Sequence, residues 1–246
     1  MQVSHFPPEP QLDEAYADVS EAAYLEEEAG QRATAVRTLE RVERHVERGS
    51  LVDLGCWLGF LVSEAQPRGW KARGVEPSRF ASEYARRTLG LDVATATLES
   101  ADLPAGSFSA VTMNDVIEHL PDPGEALDRI HGLLVPDGVL YMAIPDAGSR
   151  VARALGKRWW SVIPTHVQYF TRNSVRELLG RHGFVVEWIG TAPKAFTVRY
   201  YLERLEGYSK PLASAAVAVA SWAGVGERLV WPDFRDRMAV VARRAS

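Results

Sequence analysis

The sequence predicts a single α/β domain on a Rossmann-like, doubly wound, mostly parallel seven-stranded sheet. Three observations predict it. Short apolar runs alternate with helical patterns between Ser50 and Ile144, the first run ends in the glycine-bearing turn Asp53-Leu54-Gly55-Cys56-Trp57-Leu58-Gly59, and a second acid, Glu76, closes the second run. Alternating strands and helices imply parallel pairing with right-handed crossovers, and ligands of such sheets bind outside the carboxyl ends of the strands. The length of 246 residues suits one large domain.

Each element has a local reason. Residues 1–20 mix Pro, acids and small residues without a period and read as a loose arm. From Glu21 to Glu47, Tyr24, Ala33, Val36, Leu39, Val42 and Val46 recur at helical spacing and predict an N-terminal amphipathic helix. A strand over Ser50–Leu54 follows, then a helix through Phe60, Leu61 and Ala65. Ala72–Val75 reads as the second strand, Ser78–Leu89 as a helix stopped before Gly90, and Val93–Thr95 as the third strand. Phe108–Met113 is the fourth strand. Asp122-Pro123-Gly124-Glu125 starts the next helix with an N-cap Asp and Pro at the first helical position.

The Pro136-Asp137-Gly138 turn then delivers a fifth strand, Val139–Ile144. Pro145–Phe170 is loop-rich, carries Trp159, Trp160, His166 and Tyr169, and is long enough to form a substrate lid. A helix over Ser174–Arg181, with capping-box spacing between Ser174 and Glu177, feeds a strand over Phe184–Ile189; the last strand is Met238–Ala242. The domain thus spans 21–246, with an aromatic-rich insert at 191–236 before the last strand.

Composition narrows the function classes. With 46% hydrophobic and 24% charged residues the chain belongs with ordinary globular proteins. A net charge of −4 leaves no basic surplus to neutralise phosphates, so no nucleic-acid partner is expected. The single cysteine, Cys56, rules out an intrachain disulfide and suits a reducing, cytoplasmic location. The N-terminal residues lack a signal-peptide pattern, and the charge-free stretch Pro211–Gly226 is shorter than a membrane span and reads as an Ala-rich packing helix. Four of the 28 basic residues are Lys, a bias that points to a GC-rich bacterial genome.

The chemistry sits at the strand ends. A glycine in the first turn lets backbone fold against a ligand, and a carboxylate at the second strand's tip can accept both hydroxyls of a ribose. The dinucleotide fingerprint G-x-G-x-x-G is absent, and Asp53 would repel a pyrophosphate, so the site suits a cationic adenosine-type ligand. Cys56 reads as a small residue packed under that ligand rather than a nucleophile.

With these residues the sequence resembles the class I S-adenosylmethionine-dependent methyltransferases, whose first motif is an acid followed by spaced glycines. The resemblance continues through Asn114-Asp115-Val116-Ile117-Glu118-His119-Leu120-Pro121-Asp122-Pro123, similar to the fourth-strand signature of the bacterial small-molecule branch that includes the quinone O-methyltransferases. Leu134-Val135-Pro136-Asp137-Gly138 resembles the family's turn before strand five, and the segment from Gly156-Lys157-Arg158-Trp159-Trp160 through His166-Val167-Gln168-Tyr169-Phe170-Thr171 to Gly183-Phe184 is similar to the glycan and natural-product subgroup. The likeness covers roughly residues 24–190.

What it implies is S-adenosylmethionine as cofactor, S-adenosylhomocysteine as product and a small-molecule acceptor. Asp53, Gly55, Cys56, Trp57 and Gly59 would shape the methionine end; Glu76 and Pro77 would hold the ribose; Leu98 and Glu99 would flank the adenine; the backbone at Asn114 and Asp115 would lie near the ammonium. Trp57 replaces the usual middle glycine and Ser109 the usual Asp, and these departures favour a rival reading as a noncatalytic cofactor-sensing protein. An NAD-dependent oxidoreductase is the other rival, permitted by Glu76 and opposed by Asp53. Arg32 could meet the cofactor carboxylate or simply be solvated.

Transfer to a hydroxyl oxygen is the preferred chemistry, with N- and C-methylation open. His119, just after strand four, is the expected base, with Asp146 orienting either it or the substrate; His166 in the lid is the rival base, and Glu118 is more doubtful. No metal is expected, because adjacent residues on a helix start should diverge. Homodimerisation is left open.

Overall fold

The computed structural model describes residues 27–207 and 209–245. The expected arm at 1–20 and the start of the expected first helix lie outside the described residues. Helix α1 spans Glu28–Val42, and β1, Ser50–Leu54, follows after a turn. The helix ends at Val42, before the expected end at Glu47. Beyond Val42 the chain tightens, with the amides of Arg44 and His45 donating to Arg41 and Val42, and Glu43 turns aside to take Arg48 and Arg68.

Helix α2 (Phe60–Ala65), strand β2 (Lys71–Glu76), helix α3 (Arg79–Arg87, capped by the Ser78 hydroxyl) and strand β3 (Val93–Thr95) follow. Strand β4 is Phe108–Asn114, and helix α4, Pro123–Leu133, starts on the Asp122 carboxylate, which accepts from the Gly124 and Glu125 amides. Strand β5 runs over Leu134–Pro145, five residues earlier than expected. Leu134 already pairs with Phe108, and Asp137, at φ +62°, absorbs the expected turn within the strand.

The expected lid contains a short helix, α5 (Arg150–Leu155), capped by the Ser149 hydroxyl. Helix α6 (Arg172–Arg181) opens with a reciprocal capping box between Thr171 and Ser174. The Ser174–Glu177 pair expected there does not form, because Glu177 reaches forward to Arg181 one turn on. Strand β6 (Phe184–Thr191), β7 (Phe196–Thr197), α7 (Val198–Glu203), α8 (Lys210–Trp222), β8 (Leu229–Val230) and β9 (Arg237–Arg244) complete the described elements. The insert is thus a two-stranded β7–β8 ribbon framing two helices.

The main sheet has the order β3-β2-β1-β4-β5-β9-β6, parallel from β3 to β5, with β9 antiparallel to both its neighbours. Both faces are covered, as parallel strands require. Val52, Leu54, Val75 and Met113 pack with α4 and α6; Leu51, Val93 and Ala110 pack with α1 and α2. Strand order reverses between β1 and β4, so the crevice opens at their carboxyl ends. The charge-free stretch does form helix α8, but it buries only Ala213 and Ala220, and Trp222 is 90% exposed. Among the described residues no helix is long and apolar enough to cross a membrane.

Gly59 caps α2 at φ +82°, and a Cβ there would come within 2.7 Å of Leu91 and 3.1 Å of Ala85 on α3. Gly59→Ala combines backbone strain with overpacking and is expected to cost about 1–3 kcal/mol, read as a lower urea midpoint at unchanged slope.

Candidate active site

Three loops meet at the crevice. After β1, Gly55 takes φ +69°, and a Cβ there would lie 2.5 Å from Val116 Cγ2, so the first loop rests directly on the turn that follows β4. Trp57 adopts φ +49° in the place of the middle glycine, and its ring packs beside Leu58, Phe60 and Ala81. Its amide donates to Glu76 Oε2 at 2.8 Å, and the Ser78 amide donates to Oε1 at 2.8 Å. These two bonds aim the Glu76 carboxylate and leave each oxygen a further lone pair. Pro77 is exposed between them.

Asp53 is buried and takes the Thr112 hydroxyl at 2.7 Å. Burial, with the Glu76 charge nearby, pushes its carboxyl up to about 7, and burial raises Glu76 as well. Among the described residues no cationic side chain pairs with either acid. Two raised carboxylates without a cation, framed by turn backbone, fit a ligand that brings positive charge and hydroxyls, as S-adenosylmethionine does. They do not fit a pyrophosphate. Cys56 Sγ packs over Gly74 of β2 and its thiol is pushed well up by burial, which matches a packing role. Leu98 is in the core cluster and Glu99 is exposed on the loop after β3. Ser109 lies at the opposite end of the sheet, against Gly49, so that departure from the family pattern does not touch the crevice.

The turn after β4 holds the second cluster. Asp115, at φ +55°, binds Arg237 and Lys194, each at 2.6 Å, and these cations hold its carboxyl well below the usual range against the opposing effect of burial. Its charge is already met. Only the backbone near it remains for a cofactor ammonium. Arg237 and Lys194 lie outside every motif in the sequence, and no spacing signal could have linked them to Asp115.

Glu118, His119 and His166 come together, which overturns the expectation that adjacent residues here diverge: one ligand atom from each lies within 4.8 Å of the others. The His119 and His166 rings meet edge to face at 4.7 Å. His119 Nδ1 lies 2.9 Å from Thr165 O, and His166 Nδ1 lies 2.8 Å from Ser161 O. A carbonyl only accepts, so each Nδ1 carries a proton and each Nε2 offers its lone pair. Burial lowers both imidazoles, His166 to about 4 with help from His119. Glu118 is 1% exposed with no hydrogen-bond partner for either oxygen among the described residues, and burial plus the Asp115 charge push it up to about 8.

Burial thus favours the protonated form of the carboxyl and the neutral form of both imidazoles. A carboxylate with two imidazole nitrogens is also a donor set that suits a first-row divalent cation. The 145–170 segment is fastened onto this turn: the Val167 and Gln168 amides both donate to Glu118 O at 3.0 Å.

Asp146 does not orient His119. Its Oδ1 accepts from the Gly148 amide and its Oδ2 from Arg172, because the turn into α5 needs an acceptor there. Trp159 is buried, donating to Asp236, and only Trp160 of the two indoles is exposed. Arg32 binds Glu28 and Glu64 and lies over the Phe60 ring. It is an α1–α2 clamp.

Residues 25–188 match a family described as a methyltransferase domain. A ubiquinone biosynthesis O-methyltransferase of Alkalilimnicola ehrlichii is 33% identical over 99 residues, 38% of this chain and 40% of that protein, so the match spans less than half of the curated relative's length. In fold the chain is similar to a SAM-dependent methyltransferase of Thermotoga maritima, with TM-score 0.56 and 22% identity over 88% of this chain and 91% of that one. It is also similar to phosphoethanolamine N-methyltransferase 2 of Haemonchus contortus, solved with S-adenosyl-L-methionine, with TM-score 0.59 and 16% identity over 86% of this chain and 52% of that one.

Arg237→Met leaves Asp115 with one cation and is expected to cost about 1–3 kcal/mol of stability, measured by urea unfolding. The raised Glu118 stabilises the fold fully below about pH 4.5, and that contribution fades as pH rises toward 8. The depressed His166 works in the other direction: its contribution is present above pH 6.5 and is lost as pH falls toward 4. In chelator, Glu118→Gln is therefore expected to flatten the loss of stability between pH 5 and 8 and to gain roughly 1–4 kcal/mol at the alkaline end, with the low-pH limb unchanged.

Proposed function

The chain belongs to the class I S-adenosylmethionine-dependent methyltransferase family, and on that footing we propose that the whole protein transfers a methyl group to a small-molecule acceptor at a hydroxyl oxygen. The observation that carries the acceptor chemistry is the Glu118–His119–His166 cluster beside the carboxyl ends of β1 and β4. When bound, S-adenosylmethionine supplies a methyl group on a good sulfonium leaving group.

The chain's own residues do the rest. Asp53 and Glu76, with the 55–59 turn, hold and orient the cofactor, and aligning two reactants is worth up to about 7–11 kcal/mol in favourable cases. His119 Nε2 accepts the proton of the acceptor hydroxyl. Its Nδ1–H, held on Thr165 O, fixes the ring so that Nε2 stays the basic atom. A neutral imidazole with lowered proton affinity is already in the form that can accept. Glu118 keeps its own proton and so adds no further charge beside Asp115. His166 packs against His119 and holds it in place. The relatives described as ubiquinone O-methyltransferases support a hydroxyl acceptor.

A second reading is favoured by the same donor set: the cluster holds a divalent cation that binds the acceptor oxygen. It places the same three residues at the acceptor and differs in whether added metal changes turnover.

Titration calorimetry of the full chain with S-adenosylmethionine and S-adenosylhomocysteine tests the cofactor half: binding by the wild type and loss in Glu76→Ala are expected, and an unaffected Glu76→Ala would sink the assignment. For the acceptor half, methyl transfer is measured over a panel of hydroxyl- and amine-bearing acceptors. His119→Gln is expected to lower kcat by about 10²–10⁴-fold while S-adenosylhomocysteine affinity holds. Cofactor binding without turnover across the panel would favour the sensing protein.

A further inference from the structure

Beside the tip of β5 lies a cleft of about 780 Å³ that the transfer reading does not use. Its lining includes Arg150 and Arg153 from α5, Arg172 from the start of α6 and Arg235 from the segment before β9, against a single acid, Asp146. Asp146 is engaged with Arg172 Nε, a contact that holds that guanidinium in place and uses only one of its five N–H donors. Among the described residues no acid pairs with Arg150, Arg153 or Arg235; neighbouring Asp233 is taken up by the Thr191 hydroxyl and the Arg235 amide. In a chain of net charge −4, four guanidiniums drawn from three separate segments around one cavity hold an uncompensated positive field.

Phe234, also in the lining, is 55% exposed, and Trp160, 53% exposed, meets it edge to face at 5.9 Å. The cleft thus has a cationic floor and an aromatic rim. It shares a wall with the transfer site: the Asp146 amide donates to Asp236 O, the Trp159 indole donates to the Asp236 carboxylate, and the next residue, Arg237, holds Asp115.

We propose that this cleft is an acceptor subsite that takes a phosphoryl or diphosphoryl group of the molecule to be methylated, with the apolar body of that molecule against Trp160 and Phe234. The inference rests on the methyl-transfer reading above. Arginine forks match phosphate oxygens bidentately, and four of them exceed what one carboxylate can satisfy. Held there, the anionic end anchors the acceptor while its hydroxyl reaches the β4 turn. The same recognition serves a free phosphorylated metabolite and a phosphorylated lipid headgroup.

The test uses the full chain. Inorganic pyrophosphate, and separately S-adenosylhomocysteine, are titrated into wild type, Arg150→Glu, Arg153→Glu and Arg150→Lys by calorimetry at low and at physiological salt. Arg150 and Arg153 are exposed, and among the described residues neither makes a side-chain bond that holds the fold. Pyrophosphate affinity is expected to fall by about tenfold or more in each Glu variant and to be largely kept in Arg150→Lys. The S-adenosylhomocysteine affinity should not change in any of them. Pyrophosphate binding that is absent in the wild type, or unchanged from the wild type in both Glu variants, overturns the subsite; failure of S-adenosylhomocysteine to bind the wild type overturns the cofactor reading instead. Co-sedimentation with phosphatidylcholine vesicles that requires added phosphatidic acid and is lost in Arg150→Glu upholds the subsite with a lipid-borne group. Soluble binding without co-sedimentation upholds it with a free acceptor.

Discussion

The Asp115 carboxylate, held between Arg237 and Lys194, is the interaction on which the crevice depends. It ties the tip of β4 to the start of β9 and to the chain leaving β6, so the antiparallel edge of the sheet is locked to its parallel half at the end where ligands bind. The left-handed turn at Asp115 sends the chain into Val116, which supports Gly55, and then into Glu118 and His119. Two cations meet this half-buried carboxylate, and their charge offsets what its partial burial costs. Burial of Glu118 raises its carboxyl, and the Asp115 charge beside it adds to that rise.

The site divides into two electrostatic halves. At the tips of β1 and β2, Asp53 and Glu76 are acids with no cation beside them among the described residues, a pair suited to a sulfonium and an ammonium. After β4, the third acid is answered by protein cations, and the imidazoles beside it are held neutral. The first half is built to bind a charged ligand and the second to handle a proton. The arginine cleft beyond Asp146 adds a third field, of opposite sign, on the far side of the Trp159–Asp236 wall. One open sheet carries all three because its strand ends deliver loops from every parallel unit to one crevice.

Local rules explain how much of this could be read in advance. The strands and most helix starts were legible because period and cap lie within a few residues, as with the Asp122 cap and the Gly59 entry to α2. The α6 cap was misplaced by three residues because Thr171 and Ser174 both qualify, and only packing chose between them. Of the two roles expected for Asp146, the contact with His119 does not form for a related reason: an acid at a strand tip serves equally as a turn acceptor, and here Gly148 and Arg172 claim it. Helix α5 went unread because six residues are too few to show a period.

By itself the sequence determined the doubly wound sheet, the acid-and-glycine turn after β1, the acid at the end of β2 and the importance of the β4 turn, since each is a matter of residue types within one strand–turn–helix unit. Only the tertiary structure decided which groups meet across units: Arg237 and Lys194 with Asp115, His166 with His119 and Glu118, and four arginines around one cleft. The His119–His166 and Asp115–Arg237 contacts join residues 47 and 122 positions apart. Chain spacing carries no information about them, because they are set by strand order and by the path of the lid, which emerge only when both faces of the sheet are packed.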